Sequence, residues 1–529
     1  MKEKILVTEE IAPGAIEILE KDFEVDIKKG LTSEELKQII GNYDAVIIRS
    51  ATRLTEDIIE KANGLKVIGR AGIGVDNIDV KAATQKGIIV VNAPMSNTVS
   101  AAEHTLALLM AVARKIPQAN QSLKNGKWER SRFKGIELDG KTVGIVGLGK
   151  IGFLVAKKAL GLGMKVAAFD PFVSEDRFHQ LGIKRANTLE DLYKVSDFIT
   201  IHLPKNKDTI GMFNKDEFYK MKKGTIVLNV ARGGIIVEND LAEAIKEGHI
   251  RGAGIDVFEN EPCSYSPLFE LEEVVCTPHL GASTTEAQDK AGITIAEQVS
   301  TVLKGGIATF AVNIPSVEPE TMKLISPFFE LCENMGSLFA GLFEGNLEEI
   351  EVGFYGKVSE YDTRFLTCMI LVKILEKYSE ESVNLVNVNL IAQQYGLKVE
   401  EIKSSQSKDY INLITLKGKG KDSELSISGT ITGKKNKPRF IAIDKFEIDM
   451  VPSKYMAFIR YEDVPGQIGK IGTAFGKLNV NIASMHVGRK KIGGDAVMGL
   501  NLDREVTPDM LEEFKKLSGF ENIKFVTLY

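Results

Sequence analysis

Short apolar runs alternate with segments of helical periodicity along the first part of the chain. Between Ile5 and Ala93 the runs are KILVTE, FEVDIK, AVIIRS, KVIGRAG and GIIVVNA, and helix-compatible sequence separates them. Apolar runs spaced in this way are typical of parallel strands that helices cover on both faces of a sheet. The pattern predicts a first α/β unit with a parallel sheet.

A second series of strands and helices begins with the apolar run 142–146. A helix-compatible segment leads from it to a run that ends at Asp170. Helical spacing over 98–115, with Asn97 or Ser96 available as a cap, predicts the helix that joins the two units. Four later runs complete a predicted six-stranded doubly wound sheet: DFITIHLP (197–204), TIVLNVARGG (225–234), GAGIDVF (252–258) and VVCTPHLGAS (274–283).

The pattern then changes. Residues 317 to about 450 contain amphipathic helices, including Met322 to Phe343, and later strand-like runs, without a cluster of catalytic residue types. The last segment, Tyr455 to Tyr529, has the order strand, helix, strand, strand, helix, strand, with Pro465 and Pro508 at the helix starts. This order predicts a ferredoxin-like βαββαβ unit.

Length and composition narrow the function classes. A chain of 529 residues is too long for one hydrophobic core, so three or four domains are expected. The net charge of -5 argues against a general nucleic-acid partner, and no apolar run is long enough to span a bilayer. The N-terminus lacks a signal-peptide core, and the four cysteines form no CxxC pair, so neither a metal site nor a disulfide framework is indicated. We expect a cytoplasmic protein.

Lys141 to Asp170 carries a dinucleotide-binding fingerprint. Gly147, Gly149 and Gly152 follow a strand and open a helix. The first permits the tight turn, the second lets the backbone approach a pyrophosphate, and the third lets the helix pack close to the sheet. Asp170 ends the next strand, where a carboxylate accepts hydrogen bonds from ribose hydroxyls and repels a 2′-phosphate. The sequence therefore predicts NAD rather than NADP as the cofactor.

Polar residues follow the last three strands of this series, namely Arg232, the segment Asp256 to Glu261, and His279. The carboxyl ends of adjacent parallel strands meet at one edge, so we expect these residues to converge on the cofactor crevice. A histidine can take and return a hydroxyl proton, Glu261 can orient it, and Arg232 can hold a carboxylate. The trio predicts interconversion of a 2-hydroxy acid and a 2-oxo acid, with Glu259 as the alternative acid. Each residue could instead be structural, as a core histidine, a turn acid or a solvated arginine.

Two loops of the first unit carry arginines beyond the ends of strands. One is Arg49 to Arg53, and the other is Arg70 to Asn77 with its glycine-rich turn. A guanidinium together with backbone N–H groups can grip an anion, although such arginines could also be merely solvated. Two further basic stretches are more typical of solvated surface. Of these, Trp128 to Phe133, with Arg130 and Arg132, could reach the anion site of a neighbouring subunit, and Lys434 to Arg439 could bind an anionic effector.

The motifs GLGKIG, HLP, NVARGG, DVFENEP and PHLGAST resemble those of the D-isomer-specific 2-hydroxyacid dehydrogenase family, over roughly residues 1 to 315. The resemblance implies a catalytic Arg232, Glu261 and His279. It also implies a Rossmann cofactor domain inserted within a flavodoxin-like substrate domain, with hinges near residues 98 and 283. The implied cofactor contacts are Gly147, Gly149, Lys150, Ile151, Gly152, Asp170, His202, Pro204, Ala231, Arg232, Asp256, His279 and Gly281.

The N-terminal motifs RSATRLT, GRAGIGVDNID and SAAEHTLALLMAVAR, with the loop KWERSRF, resemble more closely the members of that family that act on 3-phosphoglycerate. The implied reaction is NAD-dependent oxidation of 3-phospho-D-glycerate to 3-phosphohydroxypyruvate, the first step of L-serine biosynthesis. The implied substrate contacts are Arg49, Ser50, Arg70, Ile73, Gly74 and Asn97. Two alternatives stay open: a dehydrogenase for glycerate, glyoxylate or D-lactate, and a non-catalytic NAD-sensing binding protein.

The last unit resembles an ACT domain, the amino-acid-sensing module, through DVPGQIG and VNIASMHVGR. In this family the effector is L-serine, and the residues implied to bind it are Tyr461, Asp463, Gly466, Asn481 and Ile482. ACT domains commonly pair edge to edge, which implies a homo-oligomer, either a dimer or a tetramer. The expected domains are a discontinuous substrate domain (1–98 and 283–316), a cofactor domain (99–282), an α+β intervening domain (317–451) and the ACT domain (452–529).

Overall fold

The computed structural model describes residues 2–315, 317, 319–407 and 409–528, which form four β-sheets and the helices packed on them. Within these ranges, no helix is both long and apolar enough to cross a membrane. The fold class expected from the sequence is confirmed: two parallel α/β units precede an α+β unit and a ferredoxin-like unit.

The first sheet has five parallel strands in the flavodoxin-like order 2-1-3-4-5. Its central strand, Ala45–Ile48, is buried at every position, which explains its uninterrupted apolar sequence. The strands are β1 (Lys4–Val7), β2 (Glu24–Ile27), β3 (Ala45–Ile48), β4 (Val67–Arg70) and β5 (Ile89–Val91). The helices are α1 (Pro13–Glu20), α2 (Ser33–Ile39), α3 (Glu56–Ile59) and α4 (Val80–Gln85), with a 3₁₀ turn at Ile40–Asn42.

The connecting helix predicted from the spacing is present as α5 (Thr98–Arg114). It ends where Lys115 adopts a left-handed backbone with φ 53°. Helix α6 (Ile116–Lys124) follows, and the KWERSRF loop contains a 3₁₀ turn at Arg130–Phe133.

The second sheet is parallel and has seven strands in the order 12-11-10-9-6-7-8, where six were expected. The extra strand, β8, has only two residues, Lys184–Arg185, and is too short and too polar for an apolar pattern to indicate it. The other strands are β6 (Thr142–Val146), β7 (Lys165–Phe169), β9 (Phe198–Ile201), β10 (Thr225–Asn229), β11 (Ile250–Ile255) and β12 (Val274–Cys276). The helices are α7 (Lys150–Gly161), α8 (Glu175–Leu181), α9 (Leu189–Val195), α10 (Lys215–Lys220) and α11 (Glu238–Lys246), with a 3₁₀ turn at Pro267–Glu270.

Helix α12 (Thr285–Leu303) returns the chain to the first sheet, where it packs against β4 and α1. The cap of α12 is tied to α5, because the hydroxyl oxygens of Ser100 and Thr284 lie 2.8 Å apart. The two crossings between the parallel sheets are therefore joined where they begin.

The third sheet is mixed, in the order 14-13-15-16-17-18. The long helix expected from Met322 to Phe343 is interrupted by a 3₁₀ turn at Ser326–Phe328, because Pro327 has no N–H to donate. The strands are β13 (Glu349–Gly356), β14 (Lys398–Ser404), β15 (Asn412–Lys419), β16 (Glu424–Thr432), β17 (Lys437–Ile443) and β18 (Phe446–Met450). The helices are α13 (Pro319–Ile325), α14 (Phe329–Leu342), α15 (Arg364–Leu375) and α16 (Val388–Gln394), with a 3₁₀ turn at Lys357–Glu360.

The fourth sheet is antiparallel, in the order 20-21-19-22, and confirms the ferredoxin-like βαββαβ order. Its first helix starts at Gln467 rather than Pro465, because Gly466 occupies the N-cap with φ 92°. One face of the sheet shares a hydrophobic core with α14. The strands are β19 (Tyr455–Glu462), β20 (Ile482–Arg489), β21 (Asp495–Leu502) and β22 (Ile523–Thr527), and the helices are α17 (Gln467–Lys477) and α18 (Pro508–Ser518).

Candidate active site

The glycine loop between β6 and α7 has the geometry that the fingerprint predicts. Gly147 adopts φ +91°, and a Cβ there would lie 2.5 Å from the carbonyl oxygen of His202. At Gly152 a Cβ would lie 2.1 Å from the carbonyl oxygen of Gly147. Both glycines are therefore required by the fold of the loop itself.

Gly149 is different, because the protein leaves space around it. A Cβ built at this position meets no atom of the described residues within 4 Å, and its φ of -66° suits any residue. Gly149 is the N-cap of α7, so the first N–H groups of the helix, at Lys150 and Ile151, lie beside this space. A helix N-terminus with room for close approach suits a pyrophosphate. The loop therefore fits a dinucleotide such as NAD.

Asp170 lies at the carboxyl end of β7, directly beside this loop. Its Oδ2 accepts a hydrogen bond from the Leu148 N–H at 2.8 Å, and its Oδ1 accepts one from the Phe172 N–H at 2.9 Å. These bonds fix the carboxylate, and each oxygen retains acceptor capacity for a ribose hydroxyl. The Asp170 carboxylate is therefore in a position that suits the adenosine ribose of NAD.

Four other residues implied to contact the cofactor follow the strands on the other side of the loop. His202 and Pro204 follow β9, Ala231 follows β10, and Gly281 lies beyond β12. The ring Nε2 of His202 lies 3.0 Å from the Thr200 hydroxyl, and burial lowers the pKa of His202 to about 4. His202 is therefore neutral at pH 7 and adds no charge to the crevice.

Glu261 and His279 form a hydrogen-bonded pair, with Nδ1 of the imidazole 2.6 Å from Oε2 of the carboxylate. The other carboxylate oxygen, Oε1, accepts a bond from the Phe258 N–H at 3.0 Å. Burial alone would raise the pKa of Glu261, but the bonds from His279 and Phe258 outweigh it and hold that pKa below its ordinary value. The pair is thus an ionised carboxylate that orients a histidine.

The alternative acid, Glu259, does not take this position. Its backbone N–H donates to Oε1 of Glu238 at 2.8 Å, and the hydroxyl of Ser266 donates to the other oxygen of the same carboxylate. Glu238 therefore fixes the loop on both sides of Glu261. The expectation that Glu259 could serve instead of Glu261 is not supported by this geometry.

Asp256 is fully buried, and its contacts organise the loop that carries His279. Its Oδ1 accepts from the Leu280 N–H at 2.7 Å and the Thr277 hydroxyl at 2.5 Å, and its Oδ2 accepts from the Gly281 N–H at 2.9 Å. Its backbone carbonyl accepts from the His279 N–H at 2.9 Å. Asp256, expected as a cofactor contact, is thus occupied by protein donors, and Gly281 contributes one of them.

Arg232 reaches from the second sheet toward the first. Asn229 holds its backbone in place, since Nδ2 of Asn229 donates to the Arg232 carbonyl at 3.0 Å. Nη1 of Arg232 donates to the Ala231 carbonyl at 2.8 Å, while Nη2 faces Gly74, where a Cβ would lie 3.1 Å from it. The guanidinium therefore lies where the two parallel sheets face each other.

The first arginine loop is held by two side chains. The Glu9 carboxylate accepts from the N–H groups of Arg49 and Thr52, at 2.8 and 2.9 Å, and Nδ2 of Asn77 donates to the carbonyls of the same two residues, at 2.7 and 2.6 Å. The Arg49 guanidinium donates to the Glu10 carbonyl at 3.1 Å, and the neighbouring Ser50 is exposed.

The second arginine loop folds over the side chain of Arg70. A Cβ at Gly72 would overlap the Arg70 guanidinium, so a side chain there would displace that group, and the carbonyl of Ile73 accepts from Nδ2 of Asn92 at 2.6 Å. Burial, with Arg232 and Arg49 nearby, lowers the pKa of the Arg70 guanidinium. Three arginines from three strand ends therefore repel one another at one place, an arrangement that an anion would stabilise.

Two buried polar atoms of the predicted substrate contacts have no hydrogen-bond partner among the described residues. They are Nε of Arg70 and Oδ1 of Asn97. Asn97 occupies the N-cap of α5, but its side chain makes no capping bond, and Ser96 instead donates to the carbonyl of Ala93 at 3.0 Å. The expected capping role is therefore not observed. A buried donor and a buried acceptor that lack protein partners suit a polar substrate.

The other predicted residues lie away from this crevice. The effector candidates belong to the fourth sheet: Asp463 pairs with Arg489 at 2.8 Å, Asn481 donates to Asp503 at 2.6 Å, and the Tyr461 hydroxyl is buried with no partner among the described residues. Gly466 and Ile482 flank them, at the start of α17 and of β20.

Both basic stretches include an arginine with an acidic partner in this chain. Arg132 pairs with Glu129 and Glu272, and Arg439 pairs with Asp449, while Arg130 is exposed.

Residues that were not named as site contacts from the sequence also serve the site. Glu9 and Glu238 hold the loops of Arg49 and Glu261, and Nη2 of Arg53 donates to the Glu261 carbonyl at 3.3 Å, across the two sheets. His104 contacts Asp256 from α5. A polar residue on the apolar stripe of a helix was the signal for His104, because such a residue needs a buried polar partner. Glu9 and Glu238 carried no sequence signal, whereas Arg53 belongs to the first arginine loop.

Comparison with known proteins agrees with this geometry. Residues 106–281 match the family model described as "D-isomer specific 2-hydroxyacid dehydrogenase, NAD binding domain". Residues 324–444 match the model "D-3-phosphoglycerate dehydrogenase intervening domain", and residues 455–519 match the ACT domain model. The solved TT0316 protein from Thermus thermophilus is 33% identical, with a TM-score of 0.54 over 58% of this chain and 99% of that chain. The solved D-lactate dehydrogenase from Escherichia coli is 28% identical, with a TM-score of 0.53 over 58% of this chain and 99% of that chain.

The fold and the site thus define a D-isomer-specific 2-hydroxyacid dehydrogenase that uses NAD. Curated relatives indicate a narrower family within this class of dehydrogenases. D-3-phosphoglycerate dehydrogenase from Archaeoglobus fulgidus is 44% identical, covering 99% of this chain and 100% of the relative, and the enzyme of the same name from Methanocaldococcus jannaschii is 42% identical with the same coverage. The chain belongs to the D-3-phosphoglycerate dehydrogenase family.

Proposed function

We propose that the chain oxidises 3-phospho-D-glycerate to 3-phosphohydroxypyruvate with NAD, the first step of L-serine biosynthesis. The observation that carries the proposal is the convergence of three groups. The Glu261–His279 pair supplies a base, Arg232 supplies a carboxylate-binding cation, and the arginine loops supply cations for a second anion. A phosphorylated 2-hydroxy acid has a matching hydroxyl, carboxylate and phosphate.

The residues of the chain divide the chemistry among them. Arg232 holds the substrate carboxylate through its guanidinium and so places the C2 hydroxyl beside His279. Nδ1 of His279 faces Glu261, so Nε2 is the atom that takes the hydroxyl proton. Glu261 is ionised at neutral pH and stabilises the imidazolium that forms. NAD, when bound, supplies the acceptor for the hydride that leaves C2.

We assign the phosphate to the two loops of the first sheet. Arg49 and Arg70 carry the charge, and Ser50, Ile73 and Gly74 supply hydroxyl and backbone groups around them. Oδ1 of Asn97 is a buried acceptor without a partner among the described residues, and we assign it to a substrate hydroxyl. A substrate without a phosphate, such as D-lactate or glyoxylate, would leave the loop cations unpaired, which disfavours that alternative.

We assign NAD to the glycine loop and to the strand ends beside it. Gly149 gives the pyrophosphate room, the first turn of α7 donates from Lys150 and Ile151, and Asp170 accepts from the ribose. We also assign His202, Pro204 and Ala231, which follow β9 and β10, to the part of the crevice toward His279. The catalytic groups retained here also disfavour a protein that only senses NAD.

The four sheets support a division of the chain into four domains at the expected boundaries. We propose that residues 1–98 and 283–316 form the substrate domain, 99–282 the cofactor domain, 317–451 the intervening domain and 452–529 the ACT domain. Hinge motion where α5 and α12 begin would open and close the crevice.

We propose that L-serine binds the ACT domain at the loop before α17, between Asp463 and Asn481. The N-terminus of α17 suits the carboxylate of the amino acid, and Asp463 suits its ammonium group. Calorimetric titration of the whole chain with L-serine tests this assignment. Asn481→Ala should abolish the binding heat without changing basal turnover, and an unchanged heat would remove Asn481 from the site.

A cytoplasmic homo-oligomer, a dimer or tetramer, completes the proposal. Edge strand β20 exposes the apolar side chains of Met485 and Val487, and Trp128 is 77% exposed beyond α6. Such surfaces are typical of contacts between copies of a chain. Light scattering of the purified chain measures the mass, and a monomer would contradict the assembly.

The decisive assay for the function is NADH formation from 3-phospho-D-glycerate and NAD, with hydrazine present to trap the oxo acid. Continuous NADH production that requires both compounds supports the proposal. The absence of turnover, while NAD still binds, would favour the binding-protein alternative.

A further inference from the structure

His104, on helix α5, contacts two residues that support the catalytic loop, Asp256 and Thr277. It lies on α5, with 19% of its side chain exposed, and its Nε2 is 3.2 Å from Oδ1 of Asp256 and 3.0 Å from the hydroxyl oxygen of Thr277. A buried carboxylate accepts hydrogen bonds, so Nε2 carries the proton and donates it toward Asp256. His104 therefore supplies one of the four side-chain and backbone donors that surround this carboxylate.

The loop from Thr277 to Gly281 depends on that carboxylate. His279 adopts a left-handed backbone with φ 54°, a conformation that costs a residue with a Cβ about 1–3 kcal/mol unless the surroundings enforce it. The enforcement comes from Asp256: its side chain binds Thr277, Leu280 and Gly281, and its carbonyl accepts from the His279 N–H. Any shift of the carboxylate moves the loop and changes the distance from His279 to Glu261.

Helix α5 is also the element that carries the chain from the first sheet to the second. Asn97, a candidate substrate contact, occupies the N-cap at its start, and one turn later Ser100 contacts Thr284 at the cap of α12. His104 lies a further turn along. The same helix thus begins at a candidate substrate contact and reaches the carboxylate beneath the catalytic loop further along.

We propose that His104 is a positioning residue for the dehydrogenase reaction. By donating to Asp256, it fixes the loop that holds the His279 imidazole 2.6 Å from Glu261, and it ties that loop to the helix that crosses between the domains. The inference rests on the proposed function, because His279 is the base only if the chain oxidises a hydroxy acid.

The test compares two substitutions of His104 in the full-length chain. His104→Leu removes the donor, and we expect kcat to fall about 10- to 100-fold, as small misplacements of a catalytic group do, with KM for NAD unchanged. His104→Gln places an amide N–H near the position of Nε2, so it should restore most of kcat. His249→Leu is the matched control, because His249 precedes β11 at the opposite end from Asp256, stacks on the Tyr219 ring and has its Nε2 3.1 Å from the Met221 carbonyl oxygen.

Melting temperature separates positioning from folding. If His104→Leu lowers the melting temperature but leaves kcat per folded molecule equal to that of the wild type, the proposal is overturned. Equal loss of kcat in the Leu and Gln variants would also overturn it, since the hydrogen-bond donor would then not matter.

If the wild type itself shows no turnover in the same assay while NAD binds, the proposed function fails and the role of His104 fails with it. An active wild type with an unaffected His104→Leu variant contradicts the positioning role alone.

Discussion

The imidazole of His279 and the carboxylate of Glu261 meet at 2.6 Å, although they belong to loops that follow two different strands, β12 and β11. The Phe258 N–H fixes the carboxylate from one side, and Asp256 fixes the histidine loop from the other. The orientation of the ring is thus set by two neighbouring strand ends. The Nε2 atom points away from Glu261 as a consequence.

Replacing His279 by Ala should abolish most of the turnover. General base catalysis contributes about 10²- to 10⁴-fold, so kcat should fall by that factor. NAD affinity, measured by fluorescence titration, should change little, because the glycine loop and Asp170 are untouched. A variant that turned over at the wild-type rate would remove His279 from the mechanism.

Asp256→Asn should destabilise the cofactor domain in a pH-dependent way. An amide cannot accept all the bonds that the carboxylate accepts, so the loss at pH 7 should be about 1–3 kcal/mol. Burial alone would raise the pKa of Asp256, but the bonds from His104, Thr277 and Leu280 outweigh it and lower that pKa below 3.8.

The sign of the pH effect follows from the lowered pKa of Asp256. The stabilisation is fully present above the unfolded pKa, about 3.9, and it is lost as the pH falls through the folded value. Melting temperatures of the wild type and Asp256→Asn should therefore converge below about pH 4. A gap that stays constant between pH 7 and pH 3 would contradict this interpretation.

Three glycine substitutions near α7 should have different effects. Gly152→Ala places a Cβ 2.1 Å from the Gly147 carbonyl and should cost about 1–3 kcal/mol of stability. Gly149→Ala meets no atom of the described residues within 4 Å, so it should fold normally and yet bind NAD about tenfold more weakly.

Gly161→Ala is the matched control for this pair. It lies at the end of the same helix, and a Cβ there also meets nothing within 4 Å in the described structure. Melting temperature and NAD titration of the three variants separate the two effects. Wild-type NAD affinity in Gly149→Ala would show that the space beside it does not face the pyrophosphate.

Arg49→Ala should raise KM for 3-phospho-D-glycerate without changing KM for NAD. A hydrogen bond to a charged group is worth about 1.5–3 kcal/mol, which corresponds to about a 10- to 100-fold change. Steady-state kinetics with each substrate varied in turn measure both constants. Arg251→Ala, an exposed arginine on β11, is the control for a general loss of positive charge. An unchanged KM in Arg49→Ala would remove Arg49 from the phosphate site.

The strands of the two parallel sheets could be predicted from the sequence because strands that are buried on both faces appear as continuous apolar runs. Strands such as β3 are buried on both faces and are therefore apolar throughout, whereas β8 is two polar residues and carries no such pattern. Likewise, the break at Ser326–Phe328 follows from Pro327, which a periodic apolar pattern does not show.

At the site, residues at strand ends could be predicted because the topology of a parallel sheet brings them together. This holds for Arg232 and His279. Residues that hold the site loops in place could not be predicted. Glu9 and Glu238 accept hydrogen bonds from backbone N–H groups that come near them only in the folded chain. The position of His104 on the apolar stripe of α5 indicates a buried polar partner, but that partner, Asp256, is far away in sequence and could not be identified from the pattern.

The most direct test of the central claim is the specificity of the wild-type chain. We would measure kcat/KM for 3-phospho-D-glycerate and for D-glycerate with saturating NAD in one buffer. The arginine loops predict a preference for the phosphorylated acid of about 100-fold or more, from at least two charge-assisted hydrogen bonds. Equal values for the two acids, or a preference for D-glycerate, would contradict the claim that these loops bind a phosphate.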